Sequence, residues 1–184
     1  MLTELAPLPT TSAATAYDLM TDIQKAILEE PARLNMGLWI AAFRRLDPLD
    51  SYHLIDSEHA AEPACGTVAC YAGWGGVLTG YITSDYSVST HVKRLLTGDP
   101  SQAGRRVVRV LGKDLERAFN QTDVVREIKS GATKGRRIKL KPGTRPYALA
   151  IVRRFEAIQA KYEGHLKRVE IPVRFRTGAA QEAQ

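Results

Sequence analysis

The chain has few of the features that mark secreted and membrane proteins. Its 184 residues include only two cysteines, Cys65 and Cys70, which are too few for a disulfide scaffold. No window reaches the run of about 18 apolar residues that a membrane-spanning helix needs. The residues up to Met20 include two acidic side chains and no basic one, unlike a secretory signal. These absences predict a cytoplasmic protein with reduced thiols and no membrane association.

Signatures of common catalytic sites are missing as well. The glycines at 73–76 are not preceded by a strand pattern and are not followed by a lysine, as those of a phosphate-binding loop are. We find no paired-carboxylate motif and no nucleophile elbow. The sequence therefore favours a protein without enzymatic activity, and we expect no cofactor.

Charge is distributed unevenly along the chain. Residues 1–101 contain six basic and twelve acidic residues, whereas residues 105–154 contain fifteen basic and four acidic ones. The net charge of +6 therefore hides a strong asymmetry. A basic half of this kind is typical of proteins that meet a polyanion or an acidic protein surface.

Much of the positive charge is concentrated between residues 129 and 145, a segment that we call the basic arm. Its basic residues are Lys129, Lys134, Arg136, Arg137, Lys139, Lys141 and Arg145. Such a segment can follow a phosphate backbone and release counterions. It contains no aromatic residue that could stack on bases, so sequence-specific binding of single strands is not expected from it. Nucleic-acid binding and a solvated arm without a partner are favoured equally, and an acidic protein partner is the third alternative.

Hydrophobic periodicity predicts an α+β fold, a mainly helical single domain with a minor antiparallel β-hairpin or sheet in the basic C-terminal third. Residues 1–12 and 177–184 are predicted to be flexible tails around a globular domain of residues 13–176. Predicted helices cover residues 10–30, 65–81 and 87–96, a stretch ending at Gly112, a separate turn over 114–119, residues 124–129, and a last helix that starts near Pro146. Two alternating segments, 137–141 and 169–176, are expected to be strands and to pair.

The centre of the sequence is unusually rich in glycine. Residues 65–80 contain five glycines, although each costs ~1 kcal/mol relative to alanine inside a helix. This density predicts the close approach of another backbone, at the small residues Gly66, Ala69, Ala72, Gly73 and Gly76. Cys70 suits such a surface as a small hydrophobic residue. Thr67 or a residue just before it is expected to cap the helix.

The order of Cys65, Gly66, Thr67, Cys70, Ala72, Gly73 and Trp74 resembles a C-G-T-x-x-C-x-A-G-W motif of uncharacterised bacterial and bacteriophage proteins. Ala103, Leu111-Gly112 and Phe119 are similar in order to positions downstream in those proteins, so the likeness covers roughly residues 36–160. The basic arm departs from that pattern. The resemblance implies no established activity, and it suggests an accessory protein of a phage or a bacterium that acts in the host cytoplasm.

The two cysteines allow several interpretations. Cys65 at a helix N-terminus is a candidate nucleophile because the dipole stabilises a thiolate. Its base would be one of the four histidines, His53, His59, His91 and His165. Zinc binding by His53, His59, Cys65 and Cys70 uses suitable ligand types, although the spacing is atypical. A disulfide between the cysteines requires Cys65 to precede the first helical turn. We favour two packed, structural thiols.

Three functions remain open at this point. The first is a non-enzymatic accessory protein that binds nucleic acid or a partner protein through the basic arm. The second is a cysteine-centred enzyme or a metal-binding protein that uses Cys65 and Cys70. The third is a structural component of a larger, virion-type assembly.

Overall fold

Helices dominate the part of the chain that the computed structural model describes, as the sequence predicts. The described residues are 10–36, 40–41, 43–44, 53–54, 68–81, 87–98, 105–127 and 135–176. They include the α-helices α1 (Ala16–Glu29), α2 (Tyr71–Leu78), α3 (Ser87–Thr97), α4 (Arg105–Asn120), α5 (Arg145–Lys161) and α6 (Glu163–Leu166). None of these helices has the length and apolar character needed to cross a lipid bilayer.

The strands are short and pair two by two in antiparallel fashion. β1 (Ile40–Ala41) pairs with β4 (Val68–Ala69), β2 (Phe43–Arg44) with β3 (His53–Leu54), and β5 (Val125–Glu127) with β6 (Arg137–Lys139). In the last pair Arg126 lies opposite Ile138. Two short 3-10 helices, Pro31–Arg33 and Val173–Phe175, complete the described elements.

α1 is bounded by local signals. Thr15 is its N-cap: the Thr15 hydroxyl accepts a hydrogen bond from the Asp18 backbone N–H, and the Asp18 carboxylate accepts one from the Thr15 N–H (both 3.2 Å). This reciprocal arrangement is a capping box. The helix therefore begins later than predicted, but it ends before Pro31 as expected. Its apolar residues Met20, Ile23 and Ile27 recur at a spacing of three to four residues and are fully buried, so they form the inner face of the helix.

The aromatic side chain of Tyr71 connects four helices at the centre of the core. Its ring stacks on Phe155 of α5 with centroids 3.5 Å apart, and Phe119 of α4 lies 6.4 Å away. The Tyr71 hydroxyl donates a hydrogen bond to the carbonyl of Met20 in α1 (3.2 Å). All eight residues of α2 are buried, as expected for a helix without a polar face.

α2 and α3 approach closely at Gly75. A Cβ atom at this position would lie 2.9 Å from both γ carbons of Val92 in α3 and 3.1 Å from Cδ1 of Ile23 in α1. Valine is stiff at χ1, so it cannot easily give way. The close neighbours of Gly75 are thus side chains, whereas the glycine content predicts the approach of another backbone at other small residues, and that approach stays a prediction.

Two buried amides join α1 to α5. Gln24 Nε2 donates to Gln159 Oε1 (3.1 Å), and Gln159 Nε2 donates to the Tyr17 carbonyl and to the Thr21 hydroxyl (both 2.9 Å). Because these buried polar groups are hydrogen-bonded, the bonds offset the cost of removing the amides from water and fix the relative position of the two helices.

Two further helix boundaries differ from the prediction. α4 continues through Gly112, because Leu111, Leu115 and Phe119 form one buried face that outweighs the cost of a single glycine. Val107 and Val110, which precede Gly112, are exposed, so the apolar residues of this stretch do not all face the core. α2 begins at Tyr71 rather than near residue 65, because Val68–Ala69 forms a strand with β1.

Two predictions for the basic third are also wrong. The predicted helix over 124–129 is replaced by β5, whose pairing with β6 is a contact between distant residues that local cap signals do not reveal. The segment 169–176 does not pair with 137–141. It contacts the residues before α1 instead, where the Ile171 N–H donates to the Ala14 carbonyl and the Ala16 N–H to the Val169 carbonyl.

We expect Gly75→Ala to lower the free energy of unfolding by about 1–2 kcal/mol. Overpacking against Val92 and Ile23 costs ~1–3 kcal/mol, and the helix propensity of alanine recovers only ~1 kcal/mol of it. Urea denaturation followed by circular dichroism measures the change. Gly112→Ala is the matched control, since the nearest atom to its Cβ is 3.9 Å away, and it should be neutral or stabilising. Equal stability of the two variants would contradict the proposed close packing of α2.

Candidate functional site

The basic arm is exposed wherever the structure describes it. Arg136, Arg137, Lys139, Lys141 and Arg145 all have exposed side chains. The remaining predicted members, Lys129 and Lys134, lie outside the described residues. The residues between Glu127 and Glu156 include nine basic and no acidic ones, so this stretch carries no negative side chain of its own.

The described part of the arm is firmly connected to the core. The Leu140 N–H donates to the Val124 carbonyl (2.8 Å), which extends the pairing of β5 with β6. The Gly143 N–H donates to the Leu34 carbonyl (3.1 Å), and Gly143 has the positive φ of 75° that only glycine adopts easily. Ile138 and Leu140 are half-buried, and Leu140 packs against the core. The exposed cations are therefore presented from a backbone with a defined position.

Only one of the described arm residues forms an ion pair with another described residue. Lys139 Nζ lies 2.5 Å from Asp123 Oδ1, and this hydrogen bond raises the pKa of Lys139. Arg136, Arg137, Lys141 and Arg145 have no ion pair within the described part of the chain. Their charges are available to an external anion.

Both long helices of the basic half have basic residues at their N-termini, where the helix dipole disfavours positive charge. Arg145 is the first residue of α5, α4 begins with Arg105 and Arg106, and neither helix has an acidic residue in its first turn. A cation at a helix N-terminus is unfavourable by roughly 0.3–1 kcal/mol, and α1 by contrast has Asp18 in its first turn. Residues that oppose local stability often serve function.

Sequence analysis did not single out a second group of cations, on α4. Arg106, Arg109, Lys113 and Arg117 are exposed, and we call them the α4 stripe. Their spacing of three, four and four residues is the signal that would have identified them, because residues three or four apart share one face of a helix.

Arg154 has a structural role instead. Its guanidinium donates to the carbonyls of Gln121 (2.9 Å) and Ala118 (3.4 Å), at the C-terminal end of α4. A cation is favourable there because the last carbonyls of a helix lack partners. Partial burial lowers the pKa of Arg154 from its usual value.

Cys70 is the N-cap of α2. Its Sγ accepts a hydrogen bond from the Gly73 N–H (3.3 Å), and the side chain is only 1% exposed. Burial raises the pKa of Cys70 to about 11, so the thiol stays protonated at neutral pH and is a poor nucleophile. The expected cap at Thr67 is thus replaced by Cys70, three residues further on, within the predicted motif.

Only part of the rest of the cysteine–glycine motif lies within the described residues. Ala72, Gly73 and Trp74 lie in α2 and are buried, whereas Cys65, Gly66 and Thr67 lie outside the described residues. The candidate nucleophile Cys65 therefore stays a prediction.

The same limit applies to the predicted zinc ligands. His53 lies in β3, and its side chain is not described; His59 and Cys65 are outside the described residues. Among the residues that are described, no three His, Cys, Asp or Glu side chains form a group that could hold a metal ion. The zinc hypothesis stays a prediction.

The two remaining histidines are packed in the fold. His165 is buried and its Nε2 donates to the Thr97 carbonyl (2.9 Å). His91 stacks on Tyr81 with ring centroids 4.1 Å apart and meets the edge of Phe175 at 4.9 Å. Burial, together with the nearby charges of Arg174 and Arg94, lowers the pKa of His91 and so favours its neutral ring.

We expect Cys70 to react with iodoacetamide at least about 100-fold more slowly in the native protein than in the unfolded chain at the same pH. The reason is that its pKa of about 11 leaves few thiolates, and that burial blocks access. Tandem mass spectrometry of the peptide that contains both cysteines assigns the modification to Cys70 or to Cys65. Equal rates at Cys70 would contradict the structural role, and a Cys65 that reacts faster than in the unfolded chain would support the cysteine-centred alternative.

Comparison with known proteins finds no match to this chain among protein-family models, curated proteins or solved structures. The resemblance carried by the residues from Cys65 to Trp74 stays a prediction. The function proposed below therefore rests on the contacts and charges of the chain's own residues.

Proposed function

We propose that this protein is a non-enzymatic accessory protein, of phage or bacterial origin, that binds the phosphate backbone of nucleic acid through its basic arm. One observation carries the proposal: the described arm presents Arg136, Arg137, Lys141 and Arg145 on the surface, without an ion pair to any described residue. Neutralising phosphates with such cations releases counterions, which drives binding.

The residues of the arm favour a nucleic acid over an acidic protein. Protein interfaces have apolar or aromatic anchors at their centre. The only large apolar residues of the arm, Ile138 and Leu140, are half-buried in the fold. What remains for a partner is cationic and polar, and this suits the uniform negative charge of a phosphate backbone. Without aromatic side chains to read bases, binding should depend little on sequence.

The attachment of the arm also supports binding. The pairing of β5 with β6 and the Lys139–Asp123 ion pair hold the described part of the arm in place. Presenting cations from an ordered backbone reduces the entropy that is lost on binding. The cysteine-centred and virion-type alternatives gain no comparable support from the contacts of the described residues.

The arm variant that tests the proposal is Arg136→Gln, Arg137→Gln, Lys141→Gln. Lys139 is retained so that its ion pair with Asp123 survives. Binding to a fluorescent DNA duplex is measured by anisotropy between about 50 and 200 mM salt, a range in which phosphate contacts change affinity strongly. Because each duplex phosphate contact contributes about 0.9 to the log–log salt slope, we expect the slope to become shallower by roughly 2–3.

The matched control is Lys25→Gln, Arg94→Gln, Arg168→Gln, which replaces exposed basic residues outside the arm. Each variant loses three positive charges, so the net charge falls from +6 to +3 in both. The control should bind like the unmodified protein. If the two variants lose affinity equally, the arm is not the binding surface. If the unmodified protein does not bind even at low salt, nucleic-acid binding is refuted and the acidic-protein alternative leads.

A further inference from the structure

The α4 stripe forms a straight row of positive charge. Its four side chains fall within about 80° around the helix axis and extend over roughly 16 Å, at 100° and 1.5 Å per residue. All four are exposed. Their mean separation of some 5 Å along the axis places several cations along the length of a short stretch of nucleic acid.

The acidic residues of α4 are engaged with other elements. Asp114 accepts hydrogen bonds from Lys161 Nζ (2.8 Å) and from the Tyr162 hydroxyl (2.7 Å), and these bonds lower its pKa. Glu116 lies 3.8 Å from Lys93 of α3. The stripe has no ion pair with any described residue. The charge of Arg117 acts on Asp114, but the two side chains do not form an ion pair.

The stripe ends where the base of the arm begins. Asn120, the last residue of α4, is followed by Asp123, which pairs with Lys139, and then by β5. An open depression of about 590 Å³ lies at this end of the helix. Its lining residues are Lys113, Glu116, Arg117, Asn120 and Gln121. Two cations of the stripe, one carboxylate and two amides thus form the polar surface at this end of the helix.

We propose that the α4 stripe is a second phosphate-binding surface and that, with the arm, it binds duplex DNA in preference to single strands. This inference rests on the proposed function and adds the form of nucleic acid. A rigid helix with cations in line matches a stiff duplex, in which each strand offers a phosphate every ~3.4 Å of axis. Surfaces for single strands use aromatic platforms, whereas the exposed apolar residues of α4 are Val107 and Val110.

The stripe variant is Arg106→Gln, Arg109→Gln, Lys113→Gln. Glutamine is a good helix former, and removing Arg106 from the first turn relieves an unfavourable charge, so α4 should stay folded. Circular dichroism melting checks this. Arg117 is retained because its charge acts on Asp114. The loss of three charges matches that in the control variant Lys25→Gln, Arg94→Gln, Arg168→Gln.

We expect the log–log salt slope of duplex binding to be shallower by roughly 2–3 in the stripe variant, because three phosphate contacts are lost. With the unmodified protein, unlabelled duplex should displace the labelled duplex at a lower nucleotide concentration than a single strand of the same sequence. Polyglutamate at the same concentration of negative charge should displace little of the labelled duplex.

Each contrary result refutes a different part of the two proposals. If the stripe variant binds like the control while the arm variant is weakened, the stripe is refuted and the proposed function stands. Equal displacement by the single strand refutes the preference for duplex. Displacement by polyglutamate as effective as by duplex refutes a nucleic-acid surface in favour of one for acidic proteins. Absence of binding by the unmodified protein refutes both proposals.

Discussion

The stack of Tyr71 on Phe155 is the contact on which the rest of the structure depends. A ring separation of 3.5 Å holds α2 against α5, and the Tyr71 hydroxyl bonds to Met20 of α1. A buried aromatic side chain of this size removes about 150–250 Å² from water, and its hydroxyl is costly unless it has a partner. Because α2 is buried on every side, the absence of a side chain at Gly75 is what lets α3 complete the core.

This core determines which side chains remain for a partner. Leu111, Leu115 and Phe119 turn one face of α4 inwards, so the cations of the α4 stripe face outwards. β5 and β6 follow α4 in the chain and precede α5, and their pairing positions the basic arm directly after the helix that carries the α4 stripe. The charge asymmetry of the sequence thereby becomes a set of exposed cations on connected elements, while Arg154 is used to close the end of α4.

The sequence was sufficient where local signals and the buried face agree. Pro31 ends α1, and the apolar period of α5 matches its burial at Ile151 and Phe155. The prediction from sequence failed where the structure of a segment depends on pairing with another segment. β5 forms by pairing with β6, and the chain around Ile171 hydrogen-bonds to the residues before α1. The cap at Cys70 was missed because cysteine is not among the residues that usually cap helices. For the candidate site, composition identified the arm; the spacing of the α4 stripe places its cations on one face of the helix, and the burial of the opposite face shows that they face outwards.

The salt dependence of duplex binding by the unmodified protein tests the central claim most directly, because its slope counts the phosphates that the two surfaces neutralise together. The described arm and the α4 stripe offer eight exposed cations without a described ion pair: Arg106, Arg109, Lys113, Arg117, Arg136, Arg137, Lys141 and Arg145. With about 0.9 per contact, engagement of most of them predicts a log–log slope steeper than about −4. A slope shallower than about −2, or no binding at low salt, would contradict the account.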